Sequence, residues 1–281
     1  MRLRSLLFAP ADSERKLAKA LASEADAVVL DLEDAVGPPA KEGARAALAA
    51  ALPGMARPGV VVRVNARGTA WYLADLAAVV PGRPAAVMLP KCTGIEDLRA
   101  LDHHLEALET AHGLPLGGIA VLALVTETAA SLHRLDYRGA PRLRALCFGA
   151  EDLSSDLGVL PRDAAGIYAA PVAQARGAML LAAAAAGLPA LDTPFPDPRD
   201  LPGLERETRA AARDGFAGKL CIHPAQVAPV NAAFTPSPER LRWAEAVHAA
   251  FTADPGAGVL SLKGQMIEPL HWRLARRILG L

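Results

Sequence analysis

Eight short, mostly apolar runs recur along the chain, several of them rich in Val, each separated from the next by a longer stretch of different character. The runs cover 5–10, 27–33, 60–65, 86–91, 119–127, 143–152, 189–192 and 218–223. Between them lie Ala-rich segments with helical spacing of apolar residues, among them 12–23, 39–51, 94–112, 164–186 and 199–214. A strand that is apolar along its whole length, rather than at every second residue, is buried on both faces. A parallel sheet covered by helices demands this. Eight strand-then-helix repeats predict a closed (β/α)₈ barrel of the TIM type. A doubly wound open sheet is the competing architecture, but no G-x-G-x-x-G follows the first run.

The rest of the chain fits one barrel with an appendage. Its 281 residues, 52% hydrophobic and 21% charged, supply a core of the size a barrel needs. Thr235-Pro-Ser-Pro-Glu reads as a turn into a helix with Ser237 as its cap, helical spacing covers 239–251, and 259–281 lies beyond the eighth repeat. The expected organisation is a barrel over 1–235 and a C-terminal extension over 236–281.

Charge and cysteine usage narrow the function classes. Thirty Lys and Arg balance thirty Asp and Glu, with no polybasic block, so neither nucleic acid nor a membrane is an expected partner. Cys92, Cys147 and Cys221 are too scattered for a zinc site or a disulfide framework, and the latter two sit in apolar runs. The apolar stretch near Met1 is too short for a secretory signal and is followed at once by charges, and no run is long enough to span a bilayer. A reducing, cytoplasmic location is the expectation.

Polar residues gather where the runs end. The second ends in Asp31-Leu-Glu-Asp, the third in Arg63-Val-Asn, the fourth in Pro90-Lys and the fifth in Thr126-Glu-Thr. The sixth ends in Glu151-Asp, the seventh in Asp192-Thr, and the eighth carries Lys219 and His223. In a parallel barrel those ends converge on one face, where barrel active sites lie. Any single strand turns polar as it leaves the core, but the whole set is more than that requires. Glu127 and Asp152, on neighbouring runs, are the natural pair for Mg²⁺, which is typically held by one or two carboxylates plus water and substrate oxygens. Arg63 offers a planar fork to a substrate carboxylate. A metal, a carboxylate clamp and no redox motif suggest chemistry on a small oxo- or hydroxy-acid.

At this point the residues meet a resemblance. The chain is similar to the citrate lyase β-subunit/malyl-CoA lyase family of the HpcH/HpaI aldolase superfamily, and most of all to citramalyl-CoA lyase-like proteins. The stretches that carry it are Arg4-Ser-Leu-Leu-Phe-Ala-Pro, Val29-Leu-Asp-Leu-Glu-Asp-Ala-Val, Val62-Arg-Val-Asn, Met88-Leu-Pro-Lys, Glu127-Thr-Ala and Phe148-Gly-Ala-Glu-Asp-Leu. Gly215-Phe-Ala-Gly-Lys, Ile222-His-Pro-Ala-Gln, Phe234-Thr-Pro-Ser-Pro-Glu, Trp243-Ala-Glu and Gly264-Gln-Met-Ile continue it, in order, along nearly the whole chain. The resemblance implies that Arg63 binds the carboxylate of the oxo-acid half and that Glu127 and Asp152 hold Mg²⁺. It implies a barrel whose C-terminal segment reaches the active site of a neighbouring subunit, commonly in a homotrimer. The acid following Gly-x-Met-Ile is usually Asp in such proteins; here it is Glu268, one methylene longer.

The implied reaction cleaves, or forms, a β-hydroxyacyl-CoA such as malyl-CoA or citramalyl-CoA, giving acetyl-CoA and a 2-oxo acid. Glu268 of an adjacent protomer is the candidate for the proton transfer, and coenzyme A, as part of the substrate, is expected against Arg15, Lys16 and Lys19. A solvated helix face is the alternative for those three cations. Lys91 reads as an electrostatic or structural group, Glu33 and Asp34 as its salt-bridge partners or those of Arg63, and His223 as a hydrogen-bonded structural residue. His103, His104, Glu106 and Glu109 read as helix surface. Three other functions stay open: malyl-CoA hydrolysis in the same pocket, a citryl-acyl-carrier lyase subunit of a citrate lyase complex, and a binding module without turnover.

Overall fold

The computed structural model describes residues 2–55 and 57–281. The chain divides into two compact units, the first ending at Phe234 and the second spanning Thr235–Leu281.

The first unit is a closed barrel of eight parallel strands in sequence order. These are β1 (Ser5–Pro10), β2 (Ala27–Asp31), β3 (Val60–Arg63), β4 (Ala86–Leu89), β5 (Ala120–Leu124), β6 (Leu143–Cys147), β7 (Ala190–Asp192) and β8 (Gly218–Cys221). The helices around them are α1 (Glu14–Leu21), α2 (Lys41–Ala51), α3 (Tyr72–Val79), α4 (Ile95–Ala111), α5 (Ala150–Leu157), α6 (Ala170–Ala185), α7 (Leu201–Asp214) and α8 (Val227–Phe234). A 3₁₀ turn, Ala129–Arg134, stands where an α-helix would follow β5. The ring closes where Ser5, Leu6 and Leu7 pair with Lys219, Leu220 and Cys221. This seam is tight: a Cβ on Gly218 would lie 1.8 Å from the Leu3 carbonyl oxygen, so only glycine fits there.

Strand alternation sorts the residues into two layers. One parity points into the barrel and packs as a single cluster that includes Leu6, Val29, Val61, Met88, Leu122 and Cys147, with Leu191 and Leu220 on the last two strands. The other parity faces the helices and joins a larger cluster, for example Leu30, Val62, Leu89 and Leu146. All three cysteines are buried and free.

The structure corrects several expectations. Most strands end two to three residues before the apolar runs do, as comparison of their limits shows, because the runs continue into the mouth loops. The sixth run is the largest discrepancy: its strand stops at Cys147, and Glu151 and Asp152 lie in the first turn of α5. The helix expected from 164 begins at Ala170. Asp192 and Lys219 are not at the mouth. Their neighbours Leu191 and Leu220 point inward, so they point outward, where Lys219 meets Asp192 at 3.1 Å and Glu207 on α7 at 2.7 Å, and Arg176 on α6 meets Asp192 at 2.9 Å. Glu109 is fully buried rather than on the surface, accepting from Arg142 and from the backbone N–H groups of Gly117 and Ile119.

The second unit contains α9 (Pro238–Ala253), an antiparallel hairpin of β9 (Leu260–Leu262) and β10 (Gln265–Ile267), and α10 (Pro269–Leu279). It has its own small core of Ala244, Val247, Phe251, Ile267 and Ala275, with the Trp272 ring stacked on Phe251 at 5.5 Å. Among the described residues no helix is long and apolar enough to cross a membrane.

Candidate active site

Arg63 and Asp31 are register partners at the ends of β3 and β2, both on the inward parity, so their side chains lie side by side in the barrel mouth. Asp31 is 1% exposed and takes the Arg63 Nε and Nη2 hydrogens at 2.7 and 2.6 Å. It also accepts the backbone N–H groups of Glu33 and Ala35. The guanidinium lies 4.9 Å over the Phe8 ring. Burial alone would make the Arg63 cation easier to neutralise, but the hydrogen bond to Asp31 prevails and the group stays firmly charged. With its side edge held by Asp31, the guanidinium keeps its outer edge, one hydrogen on each Nη, for another partner. Nη1 also lies 2.9 Å from Glu33 Oε2, yet that buried oxygen has no aligned hydrogen bond: the contact is an ion pair by distance only.

Glu127 follows β5 and is 3% exposed. Its Oε2 accepts the Lys91 backbone N–H at 2.5 Å. Lys91 itself is in the left-handed region, with φ 50°, which is strained for a residue with a side chain. Its ammonium reaches Glu33 at 2.5 Å and Asp34 at 3.1 Å. Burial first, and then the nearby Glu33 and Asp152 carboxylates, push the Glu127 carboxyl up to about 8. Gly149 makes room for it: a Cβ at that position would stand 2.5 Å from Glu127 Cγ.

Asp152 sits in the first turn of α5, half-buried, with no hydrogen bond or ion pair among the described residues. That turn is fastened to the barrel by two threonines, since Thr126 Oγ1 accepts from Gly149 N at 3.3 Å and Thr193 Oγ1 from Ala150 N at 3.2 Å. Glu127, Asp152, Arg63 and Asp31 line one cavity of about 190 Å³, walled by apolar groups that include Leu124, Phe148 and Leu220. Among the described residues no group of three or more His, Cys, Asp or Glu side chains is arranged to hold a metal ion. Two carboxylates that must otherwise repel each other in a desolvated cavity do fit an ion such as Mg²⁺, which leaves its remaining positions to water and substrate.

A second cavity, of about 870 Å³, adjoins the first, and Phe8 and Ile222 belong to the walls of both. Arg15, Lys16 and Lys19 of α1 line it, all exposed and without an ion-pair partner among the described residues. His223 lines it too, its Nδ1 accepting from Ala225 N at 3.2 Å. Glu268 belongs to the second unit, where it precedes α10 and donates its backbone N–H to His271 Nδ1 at 3.0 Å. The structure thus brings Arg63, Glu127 and Asp152 together in one cavity and the three α1 cations in the next.

Sequence reasoning missed the part of Gly149, although the Phe148-Gly-Ala string was in view. A glycine directly before acids at a strand exit is the signal. It also missed the two threonine caps and placed Asp192 and Lys219 on the wrong face.

Comparison with known proteins bears on this arrangement. The model of the HpcH/HpaI aldolase/citrate lyase family matches residues 4–224. A (3S)-malyl-CoA thioesterase of Cereibacter sphaeroides is 35% identical over 99% of this chain and 93% of its own. The mitochondrial citramalyl-CoA lyase of Rattus norvegicus is 32% identical over 99% of this chain and 85% of its own. The crystal structure of CitE from Mycobacterium tuberculosis, in complex with magnesium, acetoacetate and coenzyme A, superposes with a TM-score of 0.77 at 35% identity, covering 99% of this chain and 97% of that one. With a closed eight-stranded barrel, a match over most of its length and relatives this similar from end to end, the chain belongs to the HpcH/HpaI aldolase/citrate lyase family.

Proposed function

We propose that this protein is a Mg²⁺-dependent carbon–carbon lyase that cleaves, or forms, a β-hydroxyacyl-CoA such as malyl-CoA or citramalyl-CoA, with acetyl-CoA and a 2-oxo acid as the other side of the reaction. The observation that carries the reading is the shared cavity of Glu127, Asp152 and Arg63, which brings two carboxylates and a guanidinium together in a space that suits a short acid. Magnesium, acetoacetate and coenzyme A in the CitE structure support it. Glu127 and Asp152 would hold the ion, which supplies positive charge where negative charge develops on substrate oxygens.

The remaining roles follow from the chain's own residues. Arg63, locked in plane by Asp31, turns its free edge to the substrate carboxylate and so aligns the scissile Cα–Cβ bond. The apolar walls around it exclude water. Arg15, Lys16 and Lys19 meet the phosphates of coenzyme A in the larger cavity, so that the acyl chain crosses between the two cavities at Phe8 and Ile222. As the Cα–Cβ bond breaks, the substrate hydroxyl gives up its proton and becomes the oxo-acid carbonyl. The enolate left behind must take one proton at carbon, and Glu268 of an adjacent protomer in a homotrimer, or a multiple of one, is the group that delivers it.

The test is a panel of malyl-, methylmalyl- and citramalyl-CoA with Mg²⁺, following each oxo-acid and distinguishing acetyl-CoA from free CoA. Acetyl-CoA as product supports the lyase. Free CoA as the only thiol product refutes it in favour of thioester hydrolysis, a reading that the malyl-CoA thioesterase relative keeps in play. No turnover of any CoA thioester, with turnover of the carrier-bound acyl group, would assign the chain to a citrate lyase complex. Glu268→Gln with undiminished turnover would move the proton transfer elsewhere. Mixing inactive Glu268→Gln with inactive Arg63→Ala protomers should restore activity if two subunits share a site.

A further inference from the structure

Arg162 lies in the segment between α5 and α6, outside the cavity that holds Asp152, yet its side chain is only 8% exposed. Its Nε meets Glu207 on α7 at 3.0 Å, its Nη2 donates to Tyr168 Oη at 2.7 Å and to the Pro194 carbonyl at 3.4 Å, and its plane stacks 4.4 Å from the Tyr168 ring. Glu207 in turn meets Lys219, and Lys219 meets Asp192, so this cation is braced against two barrel strands. One hand of the guanidinium stays free of that brace: Nη1 reaches Glu151 Oε1 at 3.2 Å.

Glu151 and Asp152 are consecutive in the first turn of α5, and consecutive side chains on an α-helix diverge by about 100°. Glu151 borders both the Asp152 cavity and the groove of about 760 Å³ on the Arg162 side. The Arg162–Glu151 contact therefore adds an outward hold to a turn whose amides Thr126 and Thr193 already fasten, and Asp152, one residue on, takes its direction from that turn. Asp152 has no partner of its own to set that direction.

We propose that Arg162 is a positioning residue for the metal ligand Asp152: by drawing Glu151 outward it completes, with Thr126 and Thr193, the hold on the first turn of α5 that aims Asp152 into the cavity. This rests on the reading that Glu127 and Asp152 bind a divalent cation. Outer partners of ligating groups commonly contribute 10–100-fold to metal affinity.

The test measures Mn²⁺ binding to the substrate-free protein by electron paramagnetic resonance, with thermal unfolding alongside, for wild type, Asp152→Asn, Arg162→Gln, Arg162→Lys and Glu151→Gln. Arg162→Gln should weaken Mn²⁺ binding about 10-fold or more and alter the bound-ion spectrum, with partial recovery in Arg162→Lys. Glu151 is 55% exposed, so Glu151→Gln folds even if Arg162→Gln does not, and it should weaken binding in the same direction. A lower Tm with wild-type Mn²⁺ affinity in folded Arg162 and Glu151 variants overturns the proposal and leaves the residue a structural brace. Absence of Mn²⁺ binding in wild type, or equal binding in Asp152→Asn, overturns the metal reading itself.

Discussion

Replacing Gly149 by alanine perturbs the site with a single methyl group. The added Cβ would stand 2.5 Å from Glu127 Cγ and 3.3 Å from its Oε1, whereas ordinary contact begins near 3.4 Å, so the Glu127 side chain must retreat by about 0.9 Å. It cannot retreat freely. Glu127 is 3% exposed and its carboxylate is tied to the Lys91 backbone N–H. Overpacking of this kind costs about 1–3 kcal/mol, which for a chain this size lowers Tm by a few degrees, on the order of 2–4 °C per kcal/mol. The chemical effect should be larger than the thermal one. A displacement near 1 Å at a positioned group costs about 10²-fold in rate, so kcat/KM with Mg²⁺ should fall about 100-fold and the Mg²⁺ activation constant should rise. Gly177→Ala on α6 is the control: its methyl meets nothing within 4 Å, and alanine favours a helix, so Tm should hold or rise and activity should not change. Wild-type metal activation and turnover in a folded Gly149→Ala protein would refute the view that Gly149 exists to seat Glu127.

Three further outcomes follow from the geometry. Arg63→Lys keeps the charge but loses both the two-pronged hold on Asp31 and the outer edge, so kcat/KM should drop at least about 100-fold while affinity for free coenzyme A, measured calorimetrically, stays within twofold. Arg15→Ala, Lys16→Ala and Lys19→Ala together should raise KM for the CoA thioester and flatten its salt dependence, leaving kcat nearly unchanged, because these cations touch the handle and not the reacting bond. Burial alone would raise the Asp192 carboxyl, but Lys219 and Arg176 hold it below the usual carboxylate range. Its folded value being the lower one, its contribution to stability is complete above about pH 4 and lost as pH falls through that folded value. Wild-type Tm should therefore fall below pH 4 more steeply than that of Asp192→Asn, which should start lower at neutral pH; parallel curves would contradict this.

The barrel was legible because burial on both faces writes itself as unbroken apolar runs, and eight of them leave few alternatives. Where those runs stop was not legible. Val125 and Phe148 are as apolar as any strand residue, yet each lies beyond its strand, in the loop that delivers Glu127 or in the approach to α5. Arg63, Glu127 and Asp152 could be picked out by residue type at strand exits. Asp192 and Lys219 satisfied the same criterion and failed, because position at a strand end does not say which side a residue faces; counting parity from Leu191 and Leu220 would have placed them. The hold of Asp31 on Arg63 needed the register between β2 and β3, which a single sequence does not reveal.

The inward and outward layers of this barrel are one residue apart on every strand, and that spacing bears on how such a protein can diversify. Slipping β8 by a single position would bring the Lys219 ammonium into the hollow among Leu6, Leu122 and Leu191, far from any counter-ion, and take one of two cationic partners from each of Asp192 and Glu207, which would keep Arg176 and Arg162. Insertions or deletions inside the staves are therefore close to lethal to the fold. The stretch between α5 and α6 carries no such bookkeeping, since its residues outside Arg162 and Tyr168 largely face solvent. New substrate preferences in proteins of this design should arise by remodelling such connections, with the staves left at fixed length.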